Sequence, residues 1–125
     1  MDKKLQTFQF ENSYADVFQF DNGTEVKEYH AMIHASSARL SYPEQLNAVM
    51  AAYSHLIEEE LQGAHAVFKR YFLSDAANQA DDIIVTDVTD CAKSIIQQAP
   101  LDGTKIAIWV YLMTNVQTGI GKSGL

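Results

Sequence analysis

The sequence predicts an α+β domain whose elements follow one another in the order βββαβαββ. Three observations support this. Polar and aromatic residues alternate with period two in the first third of the chain, as they do in half-buried strands. A long segment after Ser41 carries apolar residues at helical spacing, and later apolar runs are short and bounded by turn residues. With 125 residues, the chain has the length of one domain with one core.

The first three predicted strands contain residues 7–10, 17–20 and 25–34. Residues 11–13 separate the first two strands, and Asn22-Gly23 predicts a hairpin turn because this pair tolerates positive φ. Within the third strand, alternation divides the side chains between two faces. One face carries Val26, Glu28, His30, Met32 and His34, and the other carries Lys27, Tyr29, Ala31 and Ile33.

The first helix is predicted to begin after Ser41. The Ser41 side chain and Glu44 match the reciprocal capping-box pattern, and Pro43 falls in the first turn, where its missing N–H is not needed. Gly63 is the expected terminator. One apolar stripe runs along this helix: Leu46, Val49, Met50, Tyr53, Leu56, Ile57 and Leu61.

The second helix is predicted to run from residue 76 to about residue 87. Ser74 or Asp75 is the expected N-cap, because both residue types accept hydrogen bonds from the first helical N–H groups. Ile83 and Ile84 are the expected core contacts of this helix.

The remaining strands are predicted at residues 64–73, 93–97 and 105–113. The first is rich in Val, Phe and Tyr, which favour strands. A turn at residues 100–103, which includes a proline and a glycine, separates the last two.

Composition limits the classes of function. The net charge of −7, with only 9 Lys+Arg, argues against nucleic-acid binding, which needs a basic face. One cysteine, Cys91, excludes an internal disulfide and fits a reducing compartment. The longest apolar run, residues 106–113, is far shorter than the ~20 residues that span a bilayer. We therefore expect a cytoplasmic single domain over residues 1–125, in which residues 115–125 form a tail or a boundary to a further region.

The histidines do not predict a metal site. On a strand, His30 and His34 would lie ~13 Å apart at ~3.3 Å per residue, whereas metal–nitrogen bonds are ~2 Å long. His55 and His65 have no Cys, His or carboxylate at ligand spacing. We predict neither a metal nor another cofactor.

The segment 41–82 resembles the core of the Rid family, the YjgF-like reactive-intermediate deaminases. The resemblance covers residues 29–112 approximately and depends on Gln45, Gly63, Phe68-Lys69 and Leu73-Ser74-Asp75. It implies a chorismate-mutase-like fold, in which a mixed sheet is backed on one face by two helices. It also implies a homotrimer with ligand clefts between subunits. Deaminase members of the family hydrolyse enamines and imines released by pyridoxal-phosphate enzymes.

The resemblance also implies the position of a ligand site. Lys93 matches the family's arginine that binds the substrate carboxylate, so the positive charge is kept but the planar bidentate fork is lost. Ser36 and Ser37 stand where a Ser-Gly pair ends the third strand, although both also suit an ordinary turn. Tyr14 is the nearest counterpart by position of the family's N-terminal tyrosine.

The acid-base group of the family is absent from its usual place. The family's last-strand carboxylates fall on Ala107 and Trp109, neither of which transfers protons. A relocated carboxylate such as Glu28 or Asp102 is an alternative. The predicted ligand-binding residues are therefore Lys93, Ser36, Ser37 and Trp109.

Three functions follow from this comparison. The first is a divergent Rid-like domain that binds a small anionic metabolite in an inter-subunit cleft, without conventional imine deaminase activity. The second is an enzyme of altered chemistry, acting on an enamine, an imine or a chorismate-type substrate. The third is a non-catalytic assembly module.

The predicted partner is the chain itself, as a homotrimer. Apolar strand residues exceed what two helices can cover, which gives a physical motive for association. These residues are Phe8, Phe10, Phe18, Phe20 and the run 106–113.

Overall fold

A computed structural model describes residues 2–21 and 25–114 of the chain. The described part contains six strands and two α-helices in the predicted order. The elements are β1 (Asp2–Gln9), β2 (Ser13–Asp21), β3 (Lys27–Ala35), α1 (Tyr42–His55), β4 (Ala64–Leu73), α2 (Ala76–Thr86), β5 (Ala92–Gln97) and β6 (Ile106–Thr114). The observed bounds of β4 are those predicted, whereas β1 and β2 are longer than predicted.

The strands form one mixed sheet in the order β1-β2-β3-β6-β4-β5. The pair β4–β5 is parallel and every other pair is antiparallel. α2 lies in the crossover between β4 and β5, which parallel strands require. β6, the last strand in sequence, lies inside the sheet and pairs with both β3 and β4.

Both helices lie on one face of the sheet, as predicted. The hydroxyl of Tyr42 in α1 donates to the carbonyl of Gln79 in α2, at 3.1 Å. In the inner strands, every second side chain points towards the helices, and most of these side chains are buried. These side chains and the buried side chains of the helices form one apolar core. The largest fully buried members of this core are Tyr71, Ile33, Leu56, Leu73, Ile83, Ile106, Ile108, Leu112, Val49 and Val110.

The start of α1 agrees with the prediction, and its end differs. Ser41 accepts a hydrogen bond from the N–H of Glu44, and the Glu44 carboxylate accepts one from the N–H of Ser41, which completes the capping box. The α-helical pattern stops at His55, and a π-helical turn, Leu56–Glu60, follows. Gly63 comes later, in the turn before β4, with φ of +87°.

The expected N-cap of α2 is confirmed in position, whereas its side-chain capping bond and one of the two expected core contacts are absent. Asp75 occupies the N-cap position but makes no side-chain capping bond, because its carboxylate accepts from the Asn78 amide instead. Ile83 is buried, whereas Ile84 is 68% exposed. Consecutive helical residues point ~100° apart, and the buried face of α2 passes through Gln79 and Ile83.

The predicted turn at residues 100–103 is present. The Gly103 N–H donates to the Pro100 carbonyl at 3.2 Å, and Gly103 has φ of +84°. The predicted Asn22-Gly23 turn and the tail 115–125 lie outside the described residues. Within residues 2–21 and 25–114, neither helix is long and apolar enough to cross a membrane.

Candidate functional site

The face of the sheet opposite the helices carries most of the partly exposed aromatic and histidine side chains. Strand alternation puts every second residue of β2, β3, β4 and β6 on this helix-free face. Its members are Tyr14, Asp16, Phe18, Phe20, Glu28, His30, Met32, His34, Phe68, Arg70, Phe72, Ala107, Trp109, Tyr111 and Met113. Such a concentration of partly exposed aromatic groups is typical of a surface that binds a ligand or another protein.

A cavity of about 320 Å³ lies at one end of the helix-free face. The ends of β2, β3, β4 and β6 form its floor, and the loop from β5 to β6 forms a wall. Its lining residues are Tyr14, Met32, His34, Phe72, Gln98, Ala99, Pro100, Leu101, Asp102 and Ala107. A mostly apolar lining with a few polar groups is typical of a small-molecule site.

The titratable groups among the described residues that line the cavity are Tyr14, His34 and Asp102. The Tyr14 and His34 rings stack with centroids 4.8 Å apart and planes 17° apart, as neighbours on β2 and β3. Burial, together with the negative charges of Asp102 and Asp16, raises the pKa of Tyr14 above its ordinary value of 10.0. The Tyr14 hydroxyl is therefore a proton-bearing group at neutral pH.

Asp102 is held in place by its own loop. Its Oδ1 accepts from the N–H of Thr104 at 3.0 Å and from the Thr104 hydroxyl at 2.6 Å. Burial acts to raise the pKa of Asp102, but the Thr104 hydrogen bonds and the electrostatic influence of His34 outweigh it, so the net pKa is below 3.8. The cavity therefore contains an ionised carboxylate close to an imidazole and a phenol.

Buried Gln45 fixes the loop that bears Asp102 relative to the sheet. Its side-chain amide donates to the Leu40 carbonyl at 2.8 Å, and its side-chain oxygen accepts from the Lys105 N–H at 2.7 Å. Gln45 belongs to α1, and Lys105 directly precedes β6. Gln45 of α1 thus holds the end of the loop from β5 to β6, which forms a wall of the cavity.

Trp109 lies on the helix-free face beside the cavity. Its indole Nε1 donates to Nδ1 of His30 at 3.3 Å, and the two rings stack with centroids 5.5 Å apart. The Phe68 ring is 5.6 Å from the Trp109 ring. Met32, the cross-strand partner of Trp109, lines the cavity. The structure therefore places Trp109 directly beside the cavity lining, in the same cross-strand row as Met32.

The two serines act as turn residues at the end of β3. The Ser36 N–H donates to the Asn12 carbonyl at 2.9 Å, and the Ser37 hydroxyl accepts from the Arg39 N–H at 3.1 Å. Among the described residues that line the cavity, neither serine is present. Their contact with a ligand stays a prediction.

Lys93 lies on the other side of the sheet from Trp109. Lys93 is the cross-strand partner of Lys69, whose side chain points towards the helices. The Nζ of Lys93 donates to the Thr89 carbonyl at 2.5 Å. β5 is an edge strand, and Lys93 is exposed. Within one chain, the structure does not bring Lys93 together with Trp109 or the cavity.

A second ionisable cluster is buried beneath the helices. Lys69 Nζ donates to Asp87 Oδ2 at 2.8 Å and to the Thr89 hydroxyl at 2.9 Å, and it lies 3.6 Å from the centre of the Tyr53 ring. The Tyr71 hydroxyl also donates to Asp87. Burial opposes the Asp87 charge, but these donors outweigh burial and lower the pKa of Asp87 to about 2. We interpret this closed network as structural.

Sequence reasoning missed His34 as a cavity residue. Alternation predicts the face of β3 on which His34 lies, but the sequence offers only a metal ligand or an ordinary sheet histidine as the role of this residue. The signal that was available is the pairing of His34 with Tyr14 across a hairpin, which the strand pattern implies.

Comparisons of this chain with protein-family models, with curated proteins and with solved structures found no match.

Proposed function

We propose that this chain is a divergent Rid-like domain that binds a small anionic metabolite in a cleft of a homotrimer, without conventional imine deaminase activity. The observation that carries this proposal is the cavity of about 320 Å³ on the helix-free face. A cavity of this size accepts a metabolite of a few carbon atoms rather than a macromolecule.

The position of the cavity supports the Rid-like assignment. Ala107, on which one of the family's last-strand carboxylates falls, is part of the lining, and so is Tyr14, the nearest counterpart of the family's tyrosine. A mixed sheet with two helices on one face is also the arrangement that the resemblance implies. We propose that the topology of the sheet is the chorismate-mutase-like one.

The helix-free face supports self-association. Leu5 is 59% exposed and Phe18 is 38% exposed, and the two are cross-strand partners at the outer edge of this face. Phe8 and Phe10 make no such contribution, because they pack against the core on the helix side. A second copy that covers this face would remove exposed apolar area from water and would close the open side of the cavity.

A second candidate function is an enzyme of altered chemistry. It is favoured by the grouping of Asp102 with His34 and Tyr14 in one cavity, because this set offers a carboxylate, an imidazole and a phenol for proton transfer. Glu28, the other relocated carboxylate considered, accepts from the Tyr111 hydroxyl at 2.7 Å and is not among the described residues that line the cavity. Asp102 is therefore the acid-base candidate.

The binding proposal is tested by thermal shift with pyruvate and 2-oxobutanoate. A ligand that binds only the folded state stabilises it by RT ln(1 + [L]/Kd), so the midpoint of unfolding rises with concentration. Ala107→Leu fills the cavity and is expected to abolish the shift. Ala92→Leu is the matched control. Ala92 lies in β5 on the helix-free face, as Ala107 does in β6, but it is exposed and is outside the cavity lining.

Equal shifts in the two leucine variants would contradict binding in this cavity. Assembly is tested separately by light scattering at micromolar concentration, where the expected mass is three times the 14.0 kDa of one chain. A particle of 14.0 kDa would contradict the homotrimer.

A further inference from the structure

Arg70 is a cation on the helix-free face that no prediction from the sequence used. It lies on β4 between Phe68 and Phe72, and its cross-strand partner on β6 is Trp109. Its guanidinium carbon is 5.3 Å from the centre of the Phe68 ring and 5.9 Å from the centre of the Trp109 ring. Two aromatic rings therefore flank the guanidinium group, an arrangement that favours a cation.

One hydrogen-bond donor of Arg70 is buried without a partner in the described part of the chain. Its Nε is buried and has no hydrogen-bond partner among the described residues, and Arg70 forms no ion pair with any of them. A buried donor without an acceptor costs free energy, so such groups are rare in folded proteins. Lys69, the preceding residue of β4, shows the usual solution, because Asp87 and Thr89 accept from its ammonium group.

Arg70 adjoins the cavity. Phe72, the next side chain of β4 on the same face, lines the cavity, and so does Ala107, the cross-strand partner of Phe72. Alternate strand residues are ~6.6 Å apart, a distance that an arginine side chain spans. Asp102 lies at the other side of the cavity, in the loop from β5 to β6. Arg70 is not among the described residues that line the cavity, but it directly neighbours the lining on β4, whereas the carboxylate of Asp102 lies in the loop.

We infer that Arg70 binds the carboxylate of a small anionic ligand whose apolar body occupies the cavity. This inference rests on the proposed binding function and assigns recognition of the anion to Arg70 rather than to Lys93. A guanidinium group offers paired N–H donors in a plane that matches a carboxylate, which the ammonium group of Lys93 lacks. The flanking rings favour a positive charge at this position, and the apolar lining suits a hydrocarbon body. The ligand class is a small monocarboxylate with an aliphatic or aromatic body.

Trp109 provides a direct readout, because it is the only tryptophan of the chain and lies beside Arg70. Tryptophan fluorescence of the full chain is titrated with phenylacetate and with phenylacetamide, its neutral match of nearly the same shape. We expect phenylacetate to bind more tightly. Arg70→Gln is expected to weaken phenylacetate binding by roughly 10- to 100-fold, the loss typical of a charge-assisted pair of hydrogen bonds. Arg70→Lys is expected to give an intermediate loss.

Lys93→Gln is the matched control, because it removes the same charge from the opposite side of the sheet. It is expected to change phenylacetate binding by less than about twofold, since solvent and salt screen a distant exposed charge. Phenylacetamide binding is expected to be equal in wild type and Arg70→Gln, and this equality shows that the variant keeps a folded cavity.

Two results would overturn the inference. One is equal binding of phenylacetate and phenylacetamide by the wild-type chain. The other is equal loss in Arg70→Gln and Lys93→Gln. If both compounds bind, Ala107→Leu abolishes binding, and Arg70→Gln changes nothing, then the cavity is a binding site and only the role of Arg70 is wrong. If neither compound binds, the proposed binding function and this inference are both wrong for this class of ligand.

Discussion

Replacing Asp87 by asparagine is expected to destabilise the protein strongly. Lys69 is 0% exposed, and the variant leaves its ammonium group without a counter-charge in the core. The asparagine amide keeps one oxygen where the carboxylate has two, so the Thr89 N–H or the Tyr71 hydroxyl also loses its acceptor, and this adds to the electrostatic loss. Removing one member of a buried ion pair typically costs ~3–5 kcal/mol, which is a large part of the ~5–15 kcal/mol by which proteins of this size are stable.

The measurement is urea unfolding followed by circular dichroism. With a slope of ~1–3 kcal/mol per molar urea, a loss of this size lowers the midpoint by more than about 1 M. The variant should also regain stability relative to wild type as pH rises towards 10.5. Burial already lowers the pKa of Lys69, and removing Asp87 removes the attraction that opposes this shift. The unfolded chain then binds more protons than the folded one over that range.

Two further variants decide whether this reasoning is correct. Asp90→Asn is the matched control, because Asp90 is exposed and close in sequence, and it is expected to change stability by less than ~0.5 kcal/mol. The double variant Lys69→Met with Asp87→Asn is expected to recover most of the loss, because no unpaired charge remains. If Asp87→Asn is as stable as Asp90→Asn, or if the double variant is no better than the single one, the pair does not stabilise the core as described.

Three other outcomes are expected. The pKa of Asp87 falls from 3.8 to about 2 on folding, so the carboxylate contributes fully to stability above pH 3.8, and the contribution is lost as pH falls towards 2. The loss is on the order of 2 kcal/mol, and acid unfolding of Asp87→Asn should not show this decrease in stability. Ser41→Ala removes the bond to the Glu44 N–H and should cost ~1 kcal/mol, whereas Ser54→Ala, an exposed site later in α1, should cost less in the same urea experiment. The chain should not accelerate the loss of 2-aminoacrylate generated in situ by a pyridoxal-phosphate dehydratase; acceleration that Lys93→Ala abolishes would contradict the absence of conventional deaminase activity.

Features that depend on neighbours in sequence could be predicted well. The capping box at Ser41 and Glu44 is a local hydrogen-bond pattern, and it is present. Alternation in β3 assigned each side chain to the correct face, because the strand period is two whatever the strand pairs with. The limits of β4 agree with the prediction because Gly63 and the Ser74-Asp75 pair bound a run of strand-forming residues.

The tertiary structure alone decided which side chains meet. Tyr14, His34 and Asp102 come from β2, β3 and the loop before β6, and they share a cavity because β6 inserts between β3 and β4. Lys93 and Trp109 are on opposite sides of the sheet for a similar reason. Whether a residue of β5 faces the helices depends on the register in which β5 pairs with β4, and a shift of one residue reverses it. The sequence determined the elements and their internal faces, whereas long-range strand pairing, which no local pattern encodes, determined the site.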